Sequence, residues 1–301
     1  MSFEKSIRED HSNIPAIIFL GGKGKRMEIA YKEILPSKEW LPIGFDEKGE
    51  PIPLFWRNFE ILLGLGFKEF YFVVTGEGGK IKRYFEKKFE GREVNIQLLN
   101  KESLSKISKS NVVNIYIFEN NEREIGDQFL VLKSVINHRT FLRVYGDEYF
   151  GGEKEKIKNE IRLFIEYALE KIEIEKAINV FAFVDRKITI GSVWEGFGIE
   201  GNKQSGKLVK INELNFIPSS LCVTSPEFFD ILQSEKKNSV PLDISSPEIV
   251  KRIIESQRAY GKVIDLEAFS NVNTRNDYYR LVSKIENFKK IKVKTMSNHS
   301  N

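Results

Sequence analysis

The fold is decided by residues 14–44, which read IPAIIFLGGKGKRM over residues 14–27 and LPSKEWLPIG over residues 35–44. Within the first segment, Ile17 to Leu20 form a short, continuous apolar run that ends at paired glycines. Such a run is typical of a strand buried on both faces of a parallel sheet. We therefore expect a central strand that ends at Gly21.

The glycine-rich turn after this strand has the composition of a phosphate-binding site. Gly21, Gly22 and Gly24 allow the backbone to turn tightly and approach a ligand, and Arg26 with two neighbouring lysines supplies positive charge. A Walker A loop needs Gly-x-x-x-x-Gly-Lys-Ser/Thr, which is absent, and the dinucleotide fingerprint would place its third glycine at Met27. The turn therefore predicts phosphate binding with a geometry different from both motifs.

The two segments together resemble the sugar-phosphate nucleotidyltransferases, whose first strand runs into Gly-Gly-x-Gly-x-Arg-Leu/Met and is followed by Pro-Lys-x-x-Leu-Pro. Residues 36–43 are similar to the Pro-Lys-Glu-Met-Leu-Pro-Ile form of UTP:glucose-1-phosphate uridylyltransferases, with Ser37 inserted before the lysine. The resemblance implies that Arg26 neutralises a leaving pyrophosphate and that Lys38 holds the reacting phosphates. The nucleotide-binding residues that it implies are Leu20, Gly21, Gly22, Gly24 and, further along the chain, Gly126.

Length, charge and cysteine content limit the alternatives. The 301 residues suffice for one large α/β domain or two small ones. Lys and Arg exceed Asp and Glu by only four, with the two signs interspersed, so the charge indicates neither nucleic acid nor a membrane surface as partner. Cys222, the single cysteine, lies in an apolar run, which predicts a buried structural thiol. No apolar run approaches a membrane span, and we expect a cytoplasmic protein.

We expect a polar leader over residues 1–13, a single nucleotidyltransferase domain over 14–285 and a basic, polar tail over 286–301. No hexapeptide repeat is present, so the left-handed β-helix domain that some members of the family carry is not expected.

Strand and helix patterns alternate along the first half of the chain. A helix is predicted over Phe55 to Leu65, a strand over Phe70 to Gly76, a helix over Lys80 to Phe89 and a strand over Asn95 to Leu99. This alternation favours parallel strands with right-handed crossovers. With the resemblance, it predicts an α/β, Rossmann-like fold of the nucleotide-diphospho-sugar transferase type, with a mixed, mainly parallel sheet and helices on both faces.

A second motif follows within Thr140 to Phe150, where we predict a strand that ends in Gly146-Asp147. Ligands of open α/β sheets bind beyond the carboxyl ends of the strands, so Asp147 is expected to face the same crevice as the glycine-rich turn. The segment resembles the Gly-Asp of the family, and we predict Asp147 as a ligand of Mg²⁺, a cation that prefers oxygen ligands. An ordinary turn aspartate is the alternative. Glu148 could take an outer-shell role.

Near the C-terminus we predict a helix over Ile249 to Ala259 and a last strand over Val263 to Phe269. Residues 271–278 then resemble the closing motif of the family, Asp/Asn-x-Asp/Asn-Thr-Pro-Glu-Asp. The resemblance makes Asn273 the second metal ligand. Thr274 is also a candidate helix cap, and both interpretations can hold together.

Three further positions bear on the nucleotide and the sugar. Gly126 keeps only the glycine of the family's Gly-Thr-Ala, and an ordinary helix start explains it equally well. Phe197-Gly198 stands where a Tyr-Gly is common near the sugar, although core packing explains the phenylalanine at least as well. Glu213 remains from a Glu-Lys-Pro motif, but Leu214 replaces the lysine that binds the sugar phosphate.

The resemblance implies that a sugar 1-phosphate and an NTP are joined with release of pyrophosphate, helped by Mg²⁺. UTP with glucose 1-phosphate or a related sugar is the expected pair, and the protein could be a homo-oligomer. A catalytically weak regulatory or assembly subunit of the same fold is the alternative, favoured by Leu214, by the inserted Ser37 and by Asp127 in place of threonine. A glycosyltransferase of the related fold would usually carry Asp-x-Asp, which Gly146-Asp147-Glu148 does not match.

Overall fold

The computed structural model describes residues 11–21, 37–76, 78–100, 103–104, 107, 111–120, 125–136, 138–190, 197–200, 203–210, 215–237 and 252–285. The predictions made for Gly22, Gly24, Arg26 and Glu213 lie outside these residues, as do residues 1–10 of the predicted leader and the predicted tail.

The strands are β1 Ala16–Leu20, β2 Pro42–Phe45, β3 Pro51–Pro53, β4 Glu69–Val74, β5 Val94–Leu99, β6 Val113–Glu119, β7 Phe141–Tyr145, β8 Glu148–Gly151, β9 Asn179–Asp185, β10 Thr189–Ile190, β11 Gly198–Ile199, β12 Ser205–Val209, β13 Phe216–Thr224, β14 Ala259–Val263 and β15 Ala268–Asn271. The helices are α1 Leu54–Gly64, α2 Gly78–Lys88, α3 Ile125–Ile136, α4 Lys154–Ile174, α5 Phe228–Lys237 and α6 Arg275–Lys284, and short 3-10 turns lie at His11–Asn13, Lys38–Trp40 and Arg186–Ile188.

One large sheet has the strand order β11-β12-β14-β9-β13-β7-β1-β4-β6-β5. Neighbouring strands run parallel from β7 through β1, β4 and β6 to β5, and β14 runs parallel to β9. The strand β13 is antiparallel to both of its neighbours, so the sheet is mixed. The predicted α/β fold with a mixed, mainly parallel sheet is confirmed.

The two faces of the sheet carry separate cores, as the continuous apolar run in β1 requires. Ile18 and Leu20 belong to the core that also contains Phe59 of α1, whereas Ile17 and Phe19 belong to the other core. Helices α1, α2 and α4 contribute to the first core and helices α3 and α5 to the second. Helices therefore cover both faces, and every residue of β1 is buried, as predicted for a central strand.

The strand predicted to end in Gly146-Asp147 ends there, because β7 stops at Tyr145 and the chain leaves the large sheet for β8, which pairs with β15. One predicted element near the sheet is wrong in its boundaries. The helix predicted up to residue 259 ends earlier, and residues 259–263 form β14 alongside β9. The glycine in this strand, Gly261, weakens the strand pattern in the sequence, but it allows close packing. A Cβ there would lie 2.6 Å from the ring of Phe183.

A second, three-stranded sheet with the order β10-β15-β8 brings the C-terminal part of the domain to the end of the central strands. Asn271 of β15 pairs with Glu148 of β8. The residues that follow Asn271 are therefore held beside Asp147, although they are far away in sequence.

His11 lies within the predicted leader and is buried against Phe67, with their ring centroids 5.3 Å apart. None of the helices in the described ranges is long and apolar enough to cross a bilayer.

Candidate active site

The turn that carries Asp147 lies at the carboxyl edge of the parallel strands. Strands β1 and β7 are neighbours, and the chain leaves β7 at Tyr145. Gly146 N–H donates a hydrogen bond of 2.9 Å to the carbonyl oxygen of Phe19, which fixes the turn against the end of β1. Asp147 and the start of the glycine-rich turn at Gly21 therefore meet at one edge of the sheet, where open α/β sheets bind ligands.

Side chains from two other elements hold this turn. Asn58 of α1 donates from Nδ2 to the carbonyl oxygens of Tyr145 at 3.2 Å and Glu148 at 2.9 Å. The backbone N–H of Tyr145 donates to Ser220 Oγ at 2.7 Å, and Ser220 N–H donates to the carboxylate of Glu148 at 2.7 and 2.9 Å. Ser220 lies where the pairing register of β13 with β9 shifts. The position of Asp147 is therefore set by a buried polar network.

The ammonium group of Lys38 lies against Asp147. Its Nζ donates to Asp147 Oδ2, to the carbonyl oxygen of Val272 at 3.1 Å and to Asn273 Oδ1 at 3.2 Å. Lys38 and Asp147 are both buried. The backbone carbonyl of Asp147 accepts a hydrogen bond of 2.9 Å from Val272 N–H, so the two segments are also joined directly. Three residues that the sequence singles out separately thus meet at one point.

Residues 272–274 are oriented by the start of helix α6. Thr274 is its N-cap and accepts a hydrogen bond from Asp277 N–H at 3.2 Å, while the Asp277 carboxylate accepts from Thr274 N–H at 2.8 Å. This reciprocal arrangement is a capping box. Asn273 Nδ2 donates to Asn271 Oδ1 at 2.9 Å, which turns Asn273 Oδ1 toward Lys38. The cap predicted at Thr274 is confirmed, and it orients Asn273.

The group around Lys38 has the donor chemistry of a divalent-cation site. A carboxylate, an amide oxygen and a backbone carbonyl converge on one cation, and hard oxygen donors of this kind suit Mg²⁺. The second carboxylate oxygen, Asp147 Oδ1, is buried and accepts no hydrogen bond from the residues that the structure describes. Buried carboxylate oxygens normally have partners. The residues Asp147 and Asn273 therefore fit Mg²⁺.

No protein-family model matches this chain, and no curated protein matches it. Solved structures do match. A Bacillus anthracis protein provisionally described as a glucose-1-phosphate thymidylyltransferase, in complex with a sucrose, aligns at 13% identity over 90% of this chain and 94% of its own, with a TM-score of 0.61. UDP-glucose pyrophosphorylase aligns over 90% of this chain and 97% of its own, at 16% identity and a TM-score of 0.59 for the apo form, and at 14% and 0.60 for the complex with UDP-glucose.

The chain has the fold of the sugar-phosphate nucleotidyltransferases. Within this nucleotidyltransferase fold, the other described site residues that the sequence predicts lie on elements different from those that carry Lys38, Asp147 and Asn273. Leu20 is buried in the core at the end of β1, and Gly126 is buried in the first turn of α3. Gly198 begins β11. Neither Gly126 nor Gly198 has a hydrogen bond to the Lys38 group among the bonds of the described residues.

The burial of Phe197 and of Cys222 confirms the prediction that each is a core residue. Phe197 is buried, with its ring centroid 5.6 Å from that of Phe181 and 6.2 Å from that of Phe183, which confirms the core interpretation of this residue. Cys222 is fully buried, and burial raises the pKa of its thiol, as expected of an inert structural cysteine.

Two buried carboxyl groups lie close to the Lys38 group: Glu39, which was not predicted as a site residue, and Glu148, for which an outer-shell role was left open. Burial raises the pKa of Glu39 to about 7, against the opposing effect of the Lys38 ammonium. Burial, followed by repulsion from Asp147, raises the pKa of Glu148 to about 8. Both groups therefore favour the protonated form more than an exposed glutamate does.

The free energy of unfolding is expected to depend on pH through Glu39. Its folded pKa of about 7 lies above the ordinary value of 4.5, so the folded protein binds a proton that the unfolded chain releases. The resulting stabilisation is complete below the unfolded pKa and is lost as the pH rises through the folded pKa, at about 1.4 kcal/mol per pH unit. Urea denaturation of the metal-free protein between about pH 5 and 8 measures this slope. Glu39→Gln should remove the share of the slope that Glu39 contributes and leave the share from Glu148, whose pKa is also raised, to about 8, and parallel profiles would contradict the assignment.

Gly146 leaves no room for a side chain beside the Asp147 turn. A Cβ at this position would collide with Leu20 Cδ2 and would lie 3.1 Å from the carbonyl oxygen of Phe19 and from Phe55 Cβ. We expect Gly146→Ala to lower the free energy of unfolding by about 1–3 kcal/mol, the usual cost of overpacking.

Gly79→Ala is the matched control for this substitution. A Cβ at Gly79 would meet nothing within 4 Å, and the residue lies in helix α2, where alanine is favoured over glycine. Chemical denaturation of both variants measures the difference. Equal stability of the two variants would show that the turn accommodates a Cβ.

Proposed function

We propose that this chain is a sugar-1-phosphate nucleotidyltransferase, which joins an NTP and a sugar 1-phosphate to give a nucleotide sugar and pyrophosphate. The observation that carries the proposal is the convergence of Lys38, Asp147 and Asn273 at the carboxyl edge of the sheet. The nucleotidyltransferase fold supports it, because the solved relatives include proteins with this kind of substrate. Packing alone gives no reason to bury a lysine and an aspartate together and to place an asparagine against them.

In the proposed reaction, an oxygen of the sugar 1-phosphate attacks the α-phosphorus of the NTP and pyrophosphate leaves. The attacking phosphate is already an anion, so a general base is not required. The protein then contributes mainly by positioning the reactants and neutralising their charge. Lys38 is assigned to the reacting phosphates, and Arg26, outside the described residues, to the leaving pyrophosphate. Backbone N–H groups at Gly21, Gly22 and Gly24 are assigned to the phosphates of the NTP.

We propose that Mg²⁺ is the cofactor and that Asp147 and Asn273 hold it. When bound, the metal would neutralise charge on the α-phosphate. The oxygen donors around Lys38 support this assignment, as does the buried Asp147 Oδ1, which accepts no hydrogen bond from the part of the chain that the structure describes.

UTP and glucose 1-phosphate, or a related sugar phosphate, are the proposed substrates. The choice of base rests on the likeness of residues 38–43 to the uridylyltransferase segment. The solved relatives include a protein provisionally described as a thymidylyltransferase and a UDP-glucose pyrophosphorylase, so they do not favour one base. Gly198 and Glu213 are assigned to the sugar by the resemblance alone.

A catalytically weak regulatory or assembly subunit is the second candidate. Leu214 stands where the family has the lysine that binds the sugar phosphate, and it lies outside the described residues. Such a subunit would bind a nucleotide without turning it over.

The deciding experiment measures pyrophosphate release with Mg²⁺ across a grid of UTP, dTTP, CTP and GTP against several sugar 1-phosphates. The Asp147→Asn variant is run beside the wild type to exclude a contaminating activity. Release for one pair of substrates, absent in the variant, would support the enzyme and identify both substrates. No release for any pair, with a nucleotide still raising the melting temperature, would support the regulatory subunit instead.

A further inference from the structure

The Lys38 ammonium occupies the position that a metal cation needs. It is held by Asp147 Oδ2, by the carbonyl oxygen of Val272 and by Asn273 Oδ1, at 3.1 and 3.2 Å for the latter two. Asp147 and Asn273 are also the residues assigned to Mg²⁺. A protonated lysine and a divalent metal repel each other strongly at such short range in a buried site. The two cations therefore cannot share these oxygens.

We propose that Lys38 is the resident cation of the metal site, which a divalent metal displaces, and that the phosphates of the NTP receive the displaced ammonium. The inference rests on the proposed function and deepens it, because it links the metal assigned to Asp147 with the phosphate role assigned to Lys38. Binding of the metal and movement of the Lys38 ammonium to the phosphates then occur together. The metal alone then binds weakly, and metal and nucleotide strengthen each other's binding.

The linkage follows from the burial of the ion pair. Lys38 and Asp147 are nearly fully buried, and a buried charge that loses its partner is strongly unfavourable. A metal ion that replaces Lys38 at Asp147 takes this carboxylate away from the ammonium. A triphosphate supplies another anion. Because coupling between two ligands is reciprocal, the metal must increase nucleotide affinity by the same factor.

The exchange requires only side-chain motion. The backbone after Lys38 is fixed, because the Trp40 ring packs 5.3 Å from that of Phe55 and 5.1 Å from that of Tyr84, centroid to centroid. Leu41 N–H donates to the carbonyl oxygen of Lys38 at 3.1 Å, which closes the 3-10 turn. The flexible stem of the lysine, in contrast, can rotate about its own bonds. The ammonium can thus leave Asp147 while the turn stays in place.

The test is a titration of the full-length protein with Mn²⁺ alone, followed by electron paramagnetic resonance of the unbound ion. Lys38→Met removes the competing charge and keeps most of the side-chain volume. We expect it to bind Mn²⁺ more tightly than the wild type by about 5- to 150-fold, the usual range for coupled sites. Lys133→Met, which removes a half-buried lysine paired with the exposed Asp230 at 2.9 Å, is the matched control and should bind like the wild type.

A second substitution covers the case in which Lys38→Met does not fold. Lys38→Gln keeps a hydrogen-bond donor for Asp147 without the charge, and its affinity for Mn²⁺ should also rise. Melting temperatures provide a separate readout, because Mn²⁺ should raise that of either variant more than that of the wild type.

The outcomes separate this inference from the metal assignment. Equal or weaker Mn²⁺ binding by both Lys38 variants, with binding abolished in Asp147→Asn, would overturn the exchange and leave the metal site standing. Mn²⁺ binding that is unchanged in Asp147→Asn would overturn the metal assignment and the exchange with it. Tighter binding in the Lys38 variants that also disappears in the double variant with Asp147→Asn would support both.

Discussion

Turnover is expected to fall by at least about a thousand-fold when Asp147 is replaced by asparagine, a loss typical for a group that stabilises charge in the transition state. Asparagine has nearly the same size and keeps one side-chain oxygen, so the turn and its hydrogen bonds to Asn58 should persist. The negative charge that would hold Mg²⁺ is lost. Steady-state pyrophosphate release with the substrate pair found in the grid measures the effect.

Asp230→Asn is the matched control for this experiment. Asp230 also pairs with a lysine, Lys133 at 2.9 Å, but its side chain is exposed and lies on α5. We expect wild-type turnover from it. Circular dichroism of Asp147→Asn should match that of the wild type. Retained turnover in a folded Asp147→Asn variant would remove Asp147 from the metal site, because the reaction would then proceed without its charge.

The sequence predicts the central part of the fold because its signals there are local. The apolar run before Gly21 specifies a buried strand without reference to other parts of the chain, and β1 is buried throughout. The apolar spacing over residues 55–65 likewise predicts α1, found at Leu54–Gly64. Strand β14 was missed because its stability comes from pairing with β9 and from close packing at Gly261, neither of which is visible locally.

The candidate site is only partly predictable for the same reason. Asp147 and Asn273 were identified through short motifs, and the structure places both on the Lys38 ammonium. Their contact depends on the small sheet that pairs β8 with β15, and no local pattern in the sequence predicts this pairing. Their roles as metal ligands remain predictions.

Asn58 was missed, although a signal was present in the sequence. Phe55, Phe59 and Leu62 form a buried stripe on α1, and Asn58 is a polar residue within it. A polar residue on the buried face of a helix must find a hydrogen-bond partner there. The pattern indicates a buried contact, but its partners, the carbonyl oxygens of Tyr145 and Glu148, become apparent only in three dimensions.

Asn58→Leu is expected to lower the free energy of unfolding by about 2–5 kcal/mol, because it leaves a buried and a half-buried carbonyl oxygen without their donor. Leucine has a similar size, so packing on α1 is largely kept and the missing hydrogen bonds dominate. Those bonds flank Asp147 on both sides. If their loss displaces the turn, turnover should fall by about 10- to 100-fold, the cost of a misplacement near 1 Å.

Kinetics separate this positioning role from a loss of stability alone. We expect kcat of folded Asn58→Leu to fall while KM for the NTP changes little, because the phosphate contacts assigned to Lys38 and the glycine-rich turn remain. Asn159→Leu, at an exposed asparagine of α4 that accepts a hydrogen bond from Arg162 at 2.6 Å, is the matched control and should match the wild type in both kcat and stability. A destabilised Asn58→Leu with unchanged kcat at a temperature where it is folded would show that the two hydrogen bonds stabilise the turn without orienting Asp147. A fall in kcat together with weaker Mn²⁺ binding would show that α1 sets the geometry of the metal site through Asn58.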